Sequence, residues 1–260
     1  MRRSSMPLSK KLVGLERFFQ NSQDLIEEGY YSSRILANVP NLYEAIRSKP
    51  FSIIAELKVK APNAQFPFFH PEDAEKRLKL MASEADALSI LVEPNFFGGS
   101  INYLSYASNL GIPLLMKDFI VDPVQLSVAP KGCGILLIKN FLRDNVLDDL
   151  IKECHRKGLV PVVEVHTIQE LREAIELDAE IIGINNRNLT TFELKVNHAE
   201  RLANKIETEK ILLGFSGYSE RKGVINAYKS NLSGILVGTS ISQTKEPDKF
   251  IRNLNPIQNQ

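Results

Sequence analysis

The chain has 260 residues, 43% apolar and 24% charged, the composition of a folded globular protein, which gives little support to a collagen-like, disordered or coiled-coil chain. Lysine and arginine total 32 against 31 aspartates and glutamates, so no whole-chain field attracts nucleic acid or an anionic membrane, and anion selectivity has to be local. Cys133 and Cys154 form no C-x-x-C motif, which argues against a disulfide framework or zinc site and leaves two ordinary buried thiols in a reducing compartment.

The basic start, MRRSSMPLSKK, is followed by no apolar segment of signal-peptide length, and no apolar run approaches the roughly 18 residues of a membrane span. The expectation is a cytoplasmic protein. From Leu12 to Leu36 apolar residues recur at helical spacing among charges, which predicts an amphipathic helix. Residues 1–50 are read as a helical extension packed on a main body of residues 51–260, one domain overall.

From Phe51 onward one rhythm repeats: a short apolar run, a polar or glycine-bearing loop, then a charged amphipathic segment. The predicted strands are Ile53–Lys58, Leu88–Glu93, Pro113–Lys117, Gly134–Ile138, Val160–Val165, Ile181–Ile184, Ile211–Gly214 and Gly234–Val237. Helices are predicted over 71–85, 143–158, 167–178 and 219–231, with Pro71 and Thr167 where a helix would begin. Near-continuous apolar strands with crossover-sized gaps mean a parallel sheet. Eight such units without a linker favour a closed (β/α)8 TIM barrel over a doubly wound open sheet.

Chemistry in such barrels is carried at the carboxyl ends of the strands. Glu56 and Lys58 share one face of the first strand. Glu93 ends the second, Lys117 the third and Glu164 the fifth, while Asn185 and Arg187 follow the sixth. Each alone reads equally well as a solvated loop residue. Together, charges of both signs at one mouth cost desolvation unless they pair or serve a ligand. The seventh and eighth strands end instead in Gly-Phe-Ser-Gly (214–217) and Val-Gly-Thr-Ser (237–240), small residues whose exposed N–H groups suit phosphate. His166 follows Glu164 on the same face, whereas His70, His155 and His198 are expected to be solvated. No metal cluster is visible.

Taken in order, IIAELKVKAPNA, LVEPNFFGGS, LLMKDFIVDPVQL, VPVVEVH, IGINNRNLTTFEL, FSGYSER and LVGTSI resemble the motifs of the indole-3-glycerol phosphate synthase family. The resemblance implies a TIM barrel with an N-terminal helical extension, acting as a carboxy-lyase in tryptophan biosynthesis on a phosphorylated small molecule, without metal or organic cofactor. It implies that Lys117 is the general acid, that Lys58 holds the substrate's carboxylate, that Glu56 balances the lysines, and that Glu164 assists proton removal. It further implies that Asn185, Arg187 and Ser216 contact the substrate, that Phe97, Phe119 and Leu189 receive its aromatic ring, and that Gly217, Gly238 and Thr239 grip phosphate. A monomer and a homodimer both remain open.

Two positions depart from the pattern. Phe215 stands where the family usually has a glutamate, and Ala61, in Lys60-Ala61-Pro62-Asn63, where it has a serine. A working or weakened synthase is the leading reading; a paralogue with another substrate and a non-catalytic phosphate-binding barrel stand beside it. A related isomerase barrel that works with a cysteine ending the first strand fits less well, because Glu56 and Lys58 occupy that place.

Overall fold

The eight apolar runs form eight parallel strands that close into a barrel in chain order. In the computed structural model they are β1 (Ser52–Leu57), β2 (Ala87–Leu91), β3 (Leu114–Lys117), β4 (Gly134–Ile138), β5 (Val160–Val165), β6 (Ile181–Asn185), β7 (Ile211–Phe215) and β8 (Gly234–Val237). The structure describes residues 14–35, 37–62 and 65–257; the basic start, both ends of the predicted 12–36 helix and Asn63 lie outside them. Strand residues are buried almost throughout because helices cover the outer face and side chains fill the lumen. Lys58 and Glu93 fall just beyond the ends of β1 and β2, since the rim turns away from its neighbours there.

The helices are α1 (Glu16–Glu27), α2 (Leu42–Arg47), α3 (Ala74–Ala82), α4 (Pro94–Phe97), α5 (Ile101–Ala107), α6 (Asp144–Arg156), α7 (Ile168–Ile175), α8 (His198–Ala203), α9 (Arg221–Tyr228), α10 (Thr239–Gln243) and α11 (Pro247–Leu254). Thr167 caps α7 in a reciprocal capping box with Glu170, as T-x-x-E before an apolar run requires. The single helix predicted over 12–36 is broken after α1: Gly29 adopts φ 75° and turns the chain into a 3-10 turn at Tyr30–Ser32. Farther on, α2 packs against the amino end of β4, with the Val39 N–H on the Lys131 carbonyl and the Leu42 N–H on the Gly132 carbonyl. A Cβ on Gly134 would lie 2.3 Å from Leu42 Cδ2, so the strand keeps a glycine where α2 inserts its leucine. Both thiols are buried and free, and burial pushes each up to about 12. Among the described residues no helix is long and apolar enough to cross a membrane.

Candidate active site

β1 and β3 bring three charges together at the carboxyl rim. Glu56 lies between two ammonium groups, 3.1 Å from Lys117 Nζ and 3.3 Å from Lys58 Nζ. Burial opposes ionisation of Glu56, but the two lysines outweigh it and hold the carboxyl at about 2. Burial likewise opposes the charge on Lys117, and Glu56 and Glu164 outweigh it, raising the ammonium above the usual lysine range. Gly238, at the end of β8, provides clearance for this cluster, since a Cβ there would fall 2.2 Å from Glu56 Oε1.

Glu164, near the end of β5, sits in a different environment. Its Oε1 accepts from Asn185 Nδ2 at 2.9 Å. Burial lifts its carboxyl above the usual range against the pull of Lys117 and this hydrogen bond. Glu164, Asn185, His166 and Leu189 line one cavity of about 50 Å³ at the rim. Arg187 turns into its own loop, donating Nη1 to the Phe192 carbonyl at 2.9 Å, while its N–H bonds Asn185 Oδ1. His198 is not solvated as its sequence context suggested: half-buried on α8, it donates Nε2 to the His166 carbonyl at 2.6 Å and stacks on that ring.

On β7 the Phe215 ring turns into the barrel mouth toward Lys117. It is 1% exposed and lies over Gly183, where a Cβ would come within 2.2 Å of the ring. Lys117 Nζ stands 5.5 Å from its centroid, within cation–π range. The next residue, Ser216, has φ 66°, a conformation that costs a non-glycine residue on the order of 1–3 kcal/mol. Asn186 holds it there. Its Nδ2 donates to Ser216 O, its backbone N–H to Phe215 O, and its Oδ1 accepts the Ala199 N–H. Gly217 follows at φ 84°, exposed, with Gly238 and Thr239 on the neighbouring β8 turn. Arg77 of α3 ties down the far end of α10, the helix that follows this turn, donating to the carbonyls of Ile241, Ser242 and Thr244.

The aromatic wall includes a residue the motifs did not single out. Phe97 and Phe119 lie 6.2 Å apart between centroids, and Phe18 of α1 stacks on Phe119 at 4.3 Å with planes 10° apart. The extension is tied to this wall by Ser22 Oγ on the Phe119 carbonyl and by Tyr31 OH on the buried Asp118 at 2.7 Å. Glu93 serves as a helix cap: its carboxylate accepts from the N–H groups of Asn95, Phe96 and Phe97 at the start of α4. Pro94 at the first helical position was the sequence signal for that cap.

Two lysines bridged by one carboxylate, with a second carboxylate held by an amide and the proton affinities of the two carboxylates pushed apart, at the carboxyl rim of a closed parallel barrel, define an acid–base enzyme of the TIM-barrel class. Known proteins narrow the class. A family model described as indole-3-glycerol phosphate synthase matches residues 18–254. The indole-3-glycerol phosphate synthase of Staphylococcus haemolyticus is 32% identical over 252 residues, spanning 92% of this chain and 96% of the relative. That of Lachnospira eligens is 33% identical over 84% of each. The chain belongs to the indole-3-glycerol phosphate synthase family. A solved 3-hexulose-6-phosphate synthase, with TM-score 0.63 and 10% identity over 78% of this chain and 97% of its own, shares the fold alone.

Proposed function

We propose that the chain closes the indole ring of 1-(2-carboxyphenylamino)-1-deoxyribulose 5-phosphate, with loss of carbon dioxide and water, in tryptophan biosynthesis. The observation that carries this reading is the opposed environment of the two carboxylates: Glu56 is locked ionised between Lys58 and Lys117, while Glu164, across the rim, is held toward its neutral form. A carboxylate held charged keeps Lys117 protonated, and a raised one exchanges protons, which is the division of labour an acid–base site needs.

Lys117 protonates the C2′ ketone oxygen as the anilino ring carbon attacks it, since an ammonium aimed at a developing oxyanion stabilises charge that the ground state lacks. Lys58 holds the substrate's carboxylate until it leaves as carbon dioxide. Glu164 takes the proton lost during dehydration, with Asn185 orienting it. Phe97, Phe119 and Leu189 seat the aromatic ring near its attack geometry, and Arg187 and Ser216 order the sugar end. Gly217, Gly238 and Thr239 take the phosphate. Phe215 stands where the resemblance leads one to expect a carboxylate, which leaves Glu56 and Glu164 as the two carboxylates facing the lysines. The extension and the barrel work as one unit, in the cytoplasm, as a monomer or homodimer and without nucleic acid.

Incubating the purified chain with the carboxyphenylamino-deoxyribulose phosphate and following indole fluorescence tests the reading. Product accumulation is expected. Retained binding with no product at high enzyme concentration would reduce the chain to a phosphate-ligand binder.

A further inference from the structure

The proposed reaction consumes one proton per turnover. The ketone oxygen takes one from Lys117, the resulting hydroxyl takes a second as it leaves as water, and one is lost from the adjacent carbon. The carboxylate departs as neutral carbon dioxide and its bonding pair returns to the ring system. Two protons enter and one is recovered, so solvent has to supply one in each cycle. Glu56 and Glu164 are nonetheless buried, and Lys117 is mostly so. A route inward is required.

We propose that His166 is the proton entry of this site: Glu164 gives its proton to the departing hydroxyl, takes the one lost from the adjacent carbon and returns it to Lys117, and His166 Nε2 collects a proton from solvent and passes it, through the cavity shared with Glu164, to recharge that carboxylate. The inference rests on the synthase reading above. The imidazole is held for the task. Its Nδ1 lies 2.7 Å from the Asn185 carbonyl oxygen, which can only accept, so Nδ1 carries the hydrogen. Nε2 has no protein hydrogen bond among the described residues and is left open as the basic nitrogen. The backbone is pinned on both sides: Glu170 Oε2 accepts the His166 N–H at 2.7 Å, and the His166 carbonyl accepts His198 Nε2. The ring stacks on His198 with centroids 4.8 Å apart.

The charged and titratable groups around it divide by element. Glu164 belongs to its own segment, with Lys117 of β3 beyond it; Glu170 faces it from α7 and His198 from α8, while β6 offers only the neutral Asn185. Glu170 is occupied as the acceptor of the His166 and Thr167 N–H groups, and His198 points its donor at a carbonyl. His166 alone among them has both an open nitrogen and a place on the cavity wall. That cavity, about 50 Å³, has room for roughly three waters, enough to bridge imidazole and carboxylate.

Substituting His166→Gln keeps an amide donor for the Asn185 carbonyl and removes the open ring nitrogen. With wild-type enzyme as reference, the expected result is a kcat lowered by roughly a hundredfold, an unchanged KM, and a rate that climbs with added imidazole while the wild-type rate ignores it. His166→Ala, which opens more space for the exogenous base, should be rescued further and serves if the glutamine variant folds poorly. A kcat that stays at the wild-type level, or that falls in both variants without imidazole rescue, overturns the proton-entry role. Failure of the wild-type enzyme to form product would instead strike the synthase reading itself.

Discussion

The two sides of the barrel mouth solve the burial of charge differently. On the β1–β3 side charge meets charge: Glu56 bridges Lys58 and Lys117, and Glu56 and Lys117 hold each other ionised. On the β5–β7 side hydrogen bonds and an aromatic face do the work instead. Glu164 leans on the neutral amide of Asn185, and Phe215 presents a ring to Lys117 where a carboxylate would add charge. The difference teaches where the proton traffic runs. A tightly paired ion is expensive to neutralise, so the first side is fixed in charge, and only the second can change protonation cheaply during a cycle.

The sharpest way to break this contrast is to remove its acid. Lys117→Ala should lower kcat by two to four orders of magnitude, the usual worth of a positioned acid, with substrate binding largely kept; steady-state turnover beside a binding titration separates the two. Near-wild-type turnover would reassign the acid. Removing the anion on the same side strikes stability. Glu56→Ala deprives two mostly buried ammonium groups of their shared carboxylate and should cost about 3–5 kcal/mol in denaturant unfolding. In the intact protein Glu56 is held at about 2, below its ordinary 4.5. Its stabilisation is therefore present above pH 4.5 and lost as pH falls toward 2, a loss the alanine variant should not show.

The other side is sharpened through Phe215 and Gly183. A Cβ at Gly183 would collide with the ring, so Gly183→Ala should cost about 2–3 kcal/mol. Combined with Phe215→Leu, which withdraws the ring atoms from that spot, it should cost less than the sum of the single changes, and a double-mutant cycle in denaturant measures the coupling. Additive costs would mean that the ring can turn aside. Phe215→Glu should destabilise by a comparable amount through lost packing while raising turnover, because a further carboxylate beside Lys117 would favour the charged form of the acid. A flat or lower kcat would mean that the pocket has been rebuilt around the aromatic ring.

Most of the barrel was legible because burial on both faces writes each strand as a continuous apolar run, and the rim charges were legible because they interrupt those runs at their ends. The capping box at Thr167 was local and so readable. What escaped was either long-range or ambiguous in residue type. Leu42 entering the space left by Gly134, and Phe18 stacking on Phe119, join segments roughly 90–100 residues apart, and no period in the chain records such a meeting. Glu93 ends a strand just as Glu164 does, yet one caps a helix and the other faces the cavity; only Pro94 distinguishes them. His198 lies in a polar stretch and is recruited by a carbonyl from the β5 end.

The smallest expected effect tests whether the extension senses the state of the rim. Asp118, next to Lys117, is raised to about 7 by burial, even though Tyr31 OH and the Phe119 N–H favour its ionised form. Because the folded state binds this proton more tightly than the unfolded chain does, stability falls as pH rises from the ordinary 3.8 toward 7 and levels off above it. Tyr31→Phe removes a donor that ionised Asp118 needs more than neutral Asp118 does. The cost should accordingly be about 1 kcal/mol at pH 5 and roughly 2 kcal/mol at pH 8, measured by denaturant unfolding at the two values. An equal cost at both would mean that Asp118 stays in one protonation state across this range, leaving the Tyr31 hydrogen bond a fixed tie between extension and barrel.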